Sequence, residues 1–292
     1  MIVWVASYPK SGNTFLRILL SDYLYGDLNS VFDFSNLSKI EMFPNLFRYN
    51  PLLDEKIIND IKEVKKVDYI YRYSLFLQKK LFSNGTHFLK THSSNFNINK
   101  NVFTNHEITS CALYIVRDPR NVVSSYANFL SCSDEKSASI MIEELSRGGN
   151  LNLPRKDADR TKVWMGTWAS NFNSWKPFKN QNRYLLVKYE ELINKPEKTF
   201  LKILGFIHRL GKSKPLINQT KLENTIRTTS FDNLKNLEKK NGFPEAPHKN
   251  NKKNTPFFHK GPERNWKVTL EISIKNKIET AFKKEMMELG YL

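Results

Sequence analysis

Short unbroken apolar runs alternate along this chain with longer stretches in which apolar residues return every three or four positions. The runs at 2–6, 87–89, 112–116 and 184–187 each end in polar or charged residues, as strands buried on both faces do. Between them, Leu16, Leu19, Leu20, Tyr23 and Leu24 keep helical spacing. Val122, Val123, Tyr126, Phe129 and Leu130 do the same behind Pro119, a residue suited to a first helical turn. The alternation predicts an α/β fold in which a single domain, residues 1–292, carries a central parallel sheet flanked by helices. Trp164, Trp168, Phe172 and Trp175 form an aromatic stripe expected in the core, and Ile274, Ile278, Phe282 and Met286 share one face of a C-terminal docking helix. Residues 144–161 and 241–256 have no such period and read as loops. The second, rich in proline and lysine, is either a lid over a ligand or a plain surface loop.

Chemistry gathers where the strands end. The first strand runs into Tyr8-Pro9-Lys10-Ser11-Gly12-Asn13-Thr14-Phe15, a P-loop-like strand, loop and helix. Amides at a helix N-terminus point at an anion, Gly12 lets the backbone approach it, and Lys10 adds a full charge. The lysine precedes the glycine, unlike the usual nucleotide loop, which turns the reading from ATP towards another phosphorylated donor. Lys90-Thr91-His92 closes the second strand, and residues two apart on an extended chain point the same way. His92 is there a proton acceptor beside a cation, or an ordinary polar residue after a strand. Arg117 ends the third strand with Ser125 two helical turns on. It serves a second phosphate, or pairs locally with Asp118.

Composition adds bounds. The 292 residues carry 46 Lys and Arg against 29 Asp and Glu, a net charge of +17. Such a balance draws polyanions, phosphorylated ligands or acidic substrates, or simply solvates the surface. Cys111 and Cys132 fit no metal spacing and no disulfide framework. No apolar run nears the roughly 20 residues of a membrane span, and the opening run is too short and lacks the basic start of a signal peptide. A cytoplasmic protein is expected.

These motifs together resemble the soluble sulfotransferases that use 3′-phosphoadenosine 5′-phosphosulfate (PAPS). Residues 8–14 look like that family's 5′-phosphosulfate loop, 114–129 like its 3′-phosphate motif with Arg117 and Ser125, and 90–92 like the segment bearing its catalytic histidine. The strand ending in Tyr189, the triplet Thr229-Ser230-Phe231, and Phe258-His259-Lys260-Gly261 followed by Trp266-Lys267 match its adenine and C-terminal phosphate motifs. The resemblance runs in family order from residue 2 to about 267. It implies in-line sulfuryl transfer from PAPS to a hydroxyl or amine of a small-molecule, lipid or glycan acceptor, with no metal and no specific nucleic acid. His92 would be the general base and Lys10 and Lys90 the charge stabilisers. Lys10, Ser11, Gly12, Asn13, Thr14, Phe15, Arg117, Ser125, Tyr189, Thr229, Ser230, Phe231, His259, Lys260 and Gly261 would bind the donor.

Several positions depart from the family pattern. Phe15 replaces a frequent tryptophan, Asn13 a threonine and His259 an arginine, while Arg264-Asn265 stands for the usual Gly-Asp. The dimer motif of many animal members is not recognisable in 268–277, so no dimer is expected through that surface; a chain opening almost on its first strand looks bacterial or viral. Two other classes compete: a phosphoryl transferase needing Mg²⁺, and a non-catalytic polyanion binder using Lys239, Lys240, Lys252 and Lys253. Within the first reading, Lys249, Lys252 and Lys253 would steer an anionic acceptor towards His92. Acceptor walls are expected in 25–55, 128–160 and 241–258, whose sequences do not name the acceptor.

Overall fold

A computed structural model of the chain describes residues 1–28, 30–45, 54–57, 68–143, 164–211, 216–246, 256–258, 261 and 265–292. The predicted loops 144–161 and, past residue 246, 241–256 therefore lie largely outside the described residues, as do Lys249, Lys252 and Lys253.

Strands β1 (Ile2–Ala6), β2 (Glu41–Met42), β3 (His87–Thr91), β4 (Asn97–Ile98), β5 (Asn101–Val102), β6 (Thr109–Val116) and β7 (Tyr184–Lys188) follow in chain order. Five form one sheet in the order β2-β3-β1-β6-β7, every neighbour parallel, while β4 and β5 make a separate antiparallel pair. β1 lies at the centre, with Ala6 level with Thr91 of β3 and Tyr114 of β6. The chain leaves β1 towards one edge, returns to β3, and then crosses to β6 on β1's other side. The carboxyl ends of these three strands thus flank a topological switch point, where open α/β sheets bind ligands.

Side-chain alternation explains why the strands read as unbroken apolar runs. Ile2, Trp4 and Ala6 face one core with Ala112, Tyr114 and Val116. Val3 and Val5 face the other with Cys111, Leu113 and Ile115. The first core holds the expected aromatic residues: Trp4 packs on Phe43, Phe103 and Trp175 with ring centroids 5.3–6.0 Å apart, pairs worth about 0.5–1.5 kcal/mol each. Its buried indole nitrogen donates to Thr109 Oγ1 at 3.1 Å.

Helices α1 (Asn13–Tyr25), α2 (Asp68–Leu81), α3 (Pro119–Leu130), α4 (Asp134–Ile142), α5 (Trp168–Trp175), α6 (Tyr189–Asn194), α7 (Pro196–Leu210), α8 (Gln219–Thr228), α9 (Phe231–Asn241), α10 (Trp266–Thr269), α11 (Ile272–Ala281) and α12 (Lys283–Glu288) flank the sheet. Sequence and structure differ in four details. Trp164 precedes α5 rather than joining it, and the edge strand β2, two residues without alternation, gave no signal. Tyr189 opens α6 instead of ending β7. The expected C-terminal helix breaks at Phe282, yet all four predicted docking residues are buried. A third core of Ile18, Phe32, Phe34, Leu37, Leu234, Phe243 and Phe258 caps the molecule beside the switch point.

Candidate functional site

The loop between β1 and α1 is shaped for an anion. Gly12 caps α1 at φ 99°, left-handed backbone that favours glycine, and α1 has no side-chain cap on its first-turn amides. A Cβ at Gly12 would collide with the Tyr189 ring. Ser11 Oγ is buried without a hydrogen-bond partner in the structure. Asn13 staples the loop: its side-chain nitrogen donates to Val5 C=O at 2.9 Å and Ser7 Oγ at 3.1 Å. Thr14 is buried in the same turn, and Phe15, half-buried, bridges the second and third cores. The Lys10 ammonium lies over the rings of Phe129 and Phe257, 4.7 and 4.2 Å from their centroids.

At the end of β3 the second pair comes together. His92 Nδ1 lies 2.9 Å from Ser7 C=O and 3.3 Å from Ser7 Oγ. A carbonyl only accepts, so the ring proton sits on Nδ1 and the Nε2 lone pair is left as a base. Burial, helped by the Lys90 charge and opposed by the Ser7 bond, pulls the His92 pKa down to about 3, and the imidazole is neutral at physiological pH. Lys90, on β3 two residues earlier, is buried, and burial lowers its pKa while Glu245 raises it. Its ammonium donates to Glu245 Oε2 at 3.0 Å.

Arg117 is free of the local pair the sequence allowed. Asp118 is taken instead by Arg120, whose Nε and Nη2 reach both carboxylate oxygens at 2.7–3.2 Å. Arg117 lies over the Tyr189 ring, 4.4 Å from its centroid, with Nη2 3.5 Å from Gly261 C=O and a buried Nε that has no partner. Ser125, half-buried, lies on α3 two turns along. The loop is braced from behind. Arg120 also reaches Glu279 at 2.6 Å and Tyr291 C=O at 2.8 Å, and stacks on Trp266, while Glu190 accepts from the Asp118 amide and the Tyr291 hydroxyl.

The triplet at 229–231 has divided duties. Thr229 is fully buried and its hydroxyl donates to Thr225 C=O, and Ser230 caps α9. The Phe231 ring meets Gly261, where an added Cβ would strike it. His259 and Lys260 lie outside the described residues.

The sequence reading missed Arg17, Glu245, Glu190 and Tyr291. Arg17 was visible as a charge inside an apolar helical run. It is 4% exposed, donates to Glu245 Oε1 at 2.5 Å and to Leu37 C=O at 3.0 Å. The other three give no local signal. The strand ends thus bring together the uncapped first turn of α1 with the unpartnered Ser11 Oγ, Arg117 over the Tyr189 ring, and His92 under the electrostatic influence of Lys90 and Lys10.

The profile described as Sulfotransferase domain matches residues 2–290. Sulfotransferase 1E1 of Mus musculus is 23% identical over 289 residues, covering 97% of this chain and 83% of its own length. Flavonol 3-sulfotransferase of Flaveria bidentis is 24% identical over 296 residues, covering 99% and 82%. The crystal structure of retinol dehydratase in complex with retinol and PAP shares the fold, with TM-score 0.59, 18% identity, and coverage of 98% of this chain and 81% of that one.

Proposed function

The chain belongs to the sulfotransferase domain family, and from that premise we propose that it moves a sulfuryl group from PAPS to a hydroxyl or amine of a small-molecule, lipid or glycan acceptor. The observation that carries the reading is the setting of His92: neutral, its Nδ1–H fixed on Ser7 C=O, its Nε2 available, beside Lys90 and close enough to Lys10 to feel its charge. A neutral ring in this tautomer takes a proton at Nε2 from an acceptor, a contribution of about 10²–10⁴-fold.

The residues fit such a donor. The unpartnered Ser11 Oγ and Arg117 Nε are buried polar atoms of the kind an anion satisfies, and Gly12 and Gly261 keep the backbone bare where an added Cβ would overlap the Tyr189 and Phe231 rings. PAPS, when bound, supplies a sulfuryl group on a phosphate leaving group. Lys10 and the first-turn amides of α1 would steady the charge that develops there. Lys90 would hold the sulfuryl oxygens, Arg117 with Ser125, His259, Lys260 and the Gly261 amide the 3′-phosphate, and Phe15, Tyr189 and Phe231 the base. Asn13, Thr229 and Ser230 support these contacts by shaping their loops.

Thermal unfolding with PAP (the 3′,5′-bisphosphate of adenosine), ADP, and ATP with Mg²⁺ tests the donor. PAP at about a hundred times its Kd adds roughly 2.7 kcal/mol. A shift selective for PAP is expected, and equal or absent shifts would end the reading. His92→Ala is expected to keep the PAP shift and lose turnover of PAPS by about 10²–10⁴-fold; near-normal turnover would remove His92 from the chemistry.

A further inference from the structure

Residues Phe243-Pro244-Glu245-Ala246 form a turn closed by the Ala246 amide on Phe243 C=O at 3.0 Å. The turn is seated by Phe243, whose ring packs on Phe34, Phe257 and Phe258 with centroids 4.5–5.2 Å away. From it one carboxylate reaches two cations on different elements, Lys90 of β3 at 3.0 Å and Arg17 of α1 at 2.5 Å. Both cationic side chains are under 10% exposed, whereas Glu245 is 29% exposed. β3 itself is fixed beneath: Lys90 C=O accepts from the Phe43 amide at 2.8 Å, and Lys90 is level with Val5 of β1. The lysine stem therefore has a rigid origin, and Glu245 sets where its charged end stops.

We propose that Glu245 is a positioning residue of the transfer reaction, holding Lys90 charged and aligned beside His92 while Arg17 holds Glu245. The proposal rests on the reading of Lys90 and His92 given above. Its physical basis is a conflict between burial and charge. A buried ammonium is driven towards neutrality, and Arg17 close by repels it as well; Glu245 is the counter-charge that opposes both. The groups bearing on Lys90 are Glu245 from the turn and Arg17 from α1. His92, past the end of β3, feels Lys90, Glu245 and Lys10 of the loop. A neutral Lys90 has no charge to offer a sulfuryl oxygen, and an untethered one has no fixed direction. The carboxylate itself is held well below the usual range by Lys90 and Arg17 against the effect of burial, so it stays charged throughout the working pH range.

The test follows the Lys90 side chain by NMR, with lysine labelled at Cε, in the full-length protein. An opposite charge within 4–6 Å moves a pKa by about 1–3 units, so Glu245→Gln is expected to lower the Lys90 midpoint by about one unit or more, and Glu245→Asp by less. The pH profile of PAP release from PAPS in water, which needs no acceptor, is expected to lose its basic limb earlier in Glu245→Gln, while PAP still shifts the melting temperature. A Lys90 midpoint unmoved by Glu245→Gln overturns the proposal. If that variant does not fold, Glu245→Asp serves in its place, and a Lys90 midpoint unmoved there overturns the proposal. A Lys90 midpoint that moves without any change in the release profile removes the link to the reaction. Failure of the wild-type protein to bind PAP strikes the donor reading instead and leaves the NMR result to stand on its own.

Discussion

The two sides of the switch point are built by opposite means. On the side of Arg117, the loop after β6 is braced by polar groups that converge from distant places. Asp118 is bridged by Arg120 and holds its amide on Glu190, and Arg120 extends to Glu279 and the Tyr291 main chain. On the side of Glu245, the cover is a cluster of phenylalanines, fastened by the carboxylate shared by Lys90 and Arg17 and by Glu238, which accepts from the Phe257 and Phe258 amides. A network with several partners per charge gives a fixed geometry, which suits a ligand of constant shape. Ring packing is non-directional and can readjust, which suits a pocket wall whose ligand varies.

The largest effect expected from breaking this asymmetry is on the braced side. Arg120→Ala strands the buried Asp118 carboxylate and removes the stack on Trp266. Loss of one partner of a buried pair costs about 3–5 kcal/mol, a fall in melting temperature on the order of 10 °C for a chain of this size. A loss under about 1 kcal/mol would show that the network is no more than surface pairing. Arg117→Ala acts more narrowly. Among the described residues its side chain packs over the Tyr189 ring and makes one long hydrogen bond to Gly261 C=O, so folding is expected to change little, while PAP affinity, measured by calorimetric titration, weakens by about 1.5–3 kcal/mol. Unchanged affinity would take Arg117 out of the donor site and with it the reason for the bracing.

A smaller effect distinguishes the unbraced side by pH. His92 is lowered from its ordinary value near 6.5 to about 3, so the unfolded chain binds a proton there that the folded chain does not. Its contribution to stability is intact above about pH 6.5 and is lost progressively as pH falls towards 3. Glu245, also depressed, acts only lower, losing its contribution as pH drops below the ordinary glutamate range near 4.5. Melting curves of wild type and His92→Gln are therefore expected to diverge between pH 6.5 and 4.5, where Glu245 is silent. Parallel curves through that window would mean that His92 titrates normally in the folded protein.

What was legible in the chain was what is local. β1, β3, β6 and β7 were each legible from three to five consecutive apolar residues, and the loop at 8–15 from one stretch, because glycine geometry and helix-terminus amides act over a few positions. The identity of Asp118's partner was already less accessible: Arg117 and Arg120 both lie within reach, and only the placement of Glu279 and Tyr291 from the far end of the chain decides for Arg120. Glu245 was opaque. It sits 155 residues from Lys90 and 228 from Arg17, in a Pro-containing turn whose composition reads as surface loop. Nothing in a one-dimensional pattern signals a carboxylate whose two partners lie on a strand and a helix so far upstream. Arg17 was half-legible, since a charge within the apolar run Phe15 to Leu20 demands a counter-charge but does not say where it comes from.

The reach of Arg120 to Tyr291, 171 residues along the chain, has a consequence for the order in which the protein is made. Synthesis proceeds from the amino end, and domains acquire structure as they emerge. The segment 117–120 leaves the ribosome long before Glu279 and Tyr291 exist. Until then the Asp118–Arg120 pair lacks the Glu279 and Tyr291 partners that it has in the folded chain. The loop after β6 therefore reaches the bonding it has in the folded protein only once the last helices of the chain have been made.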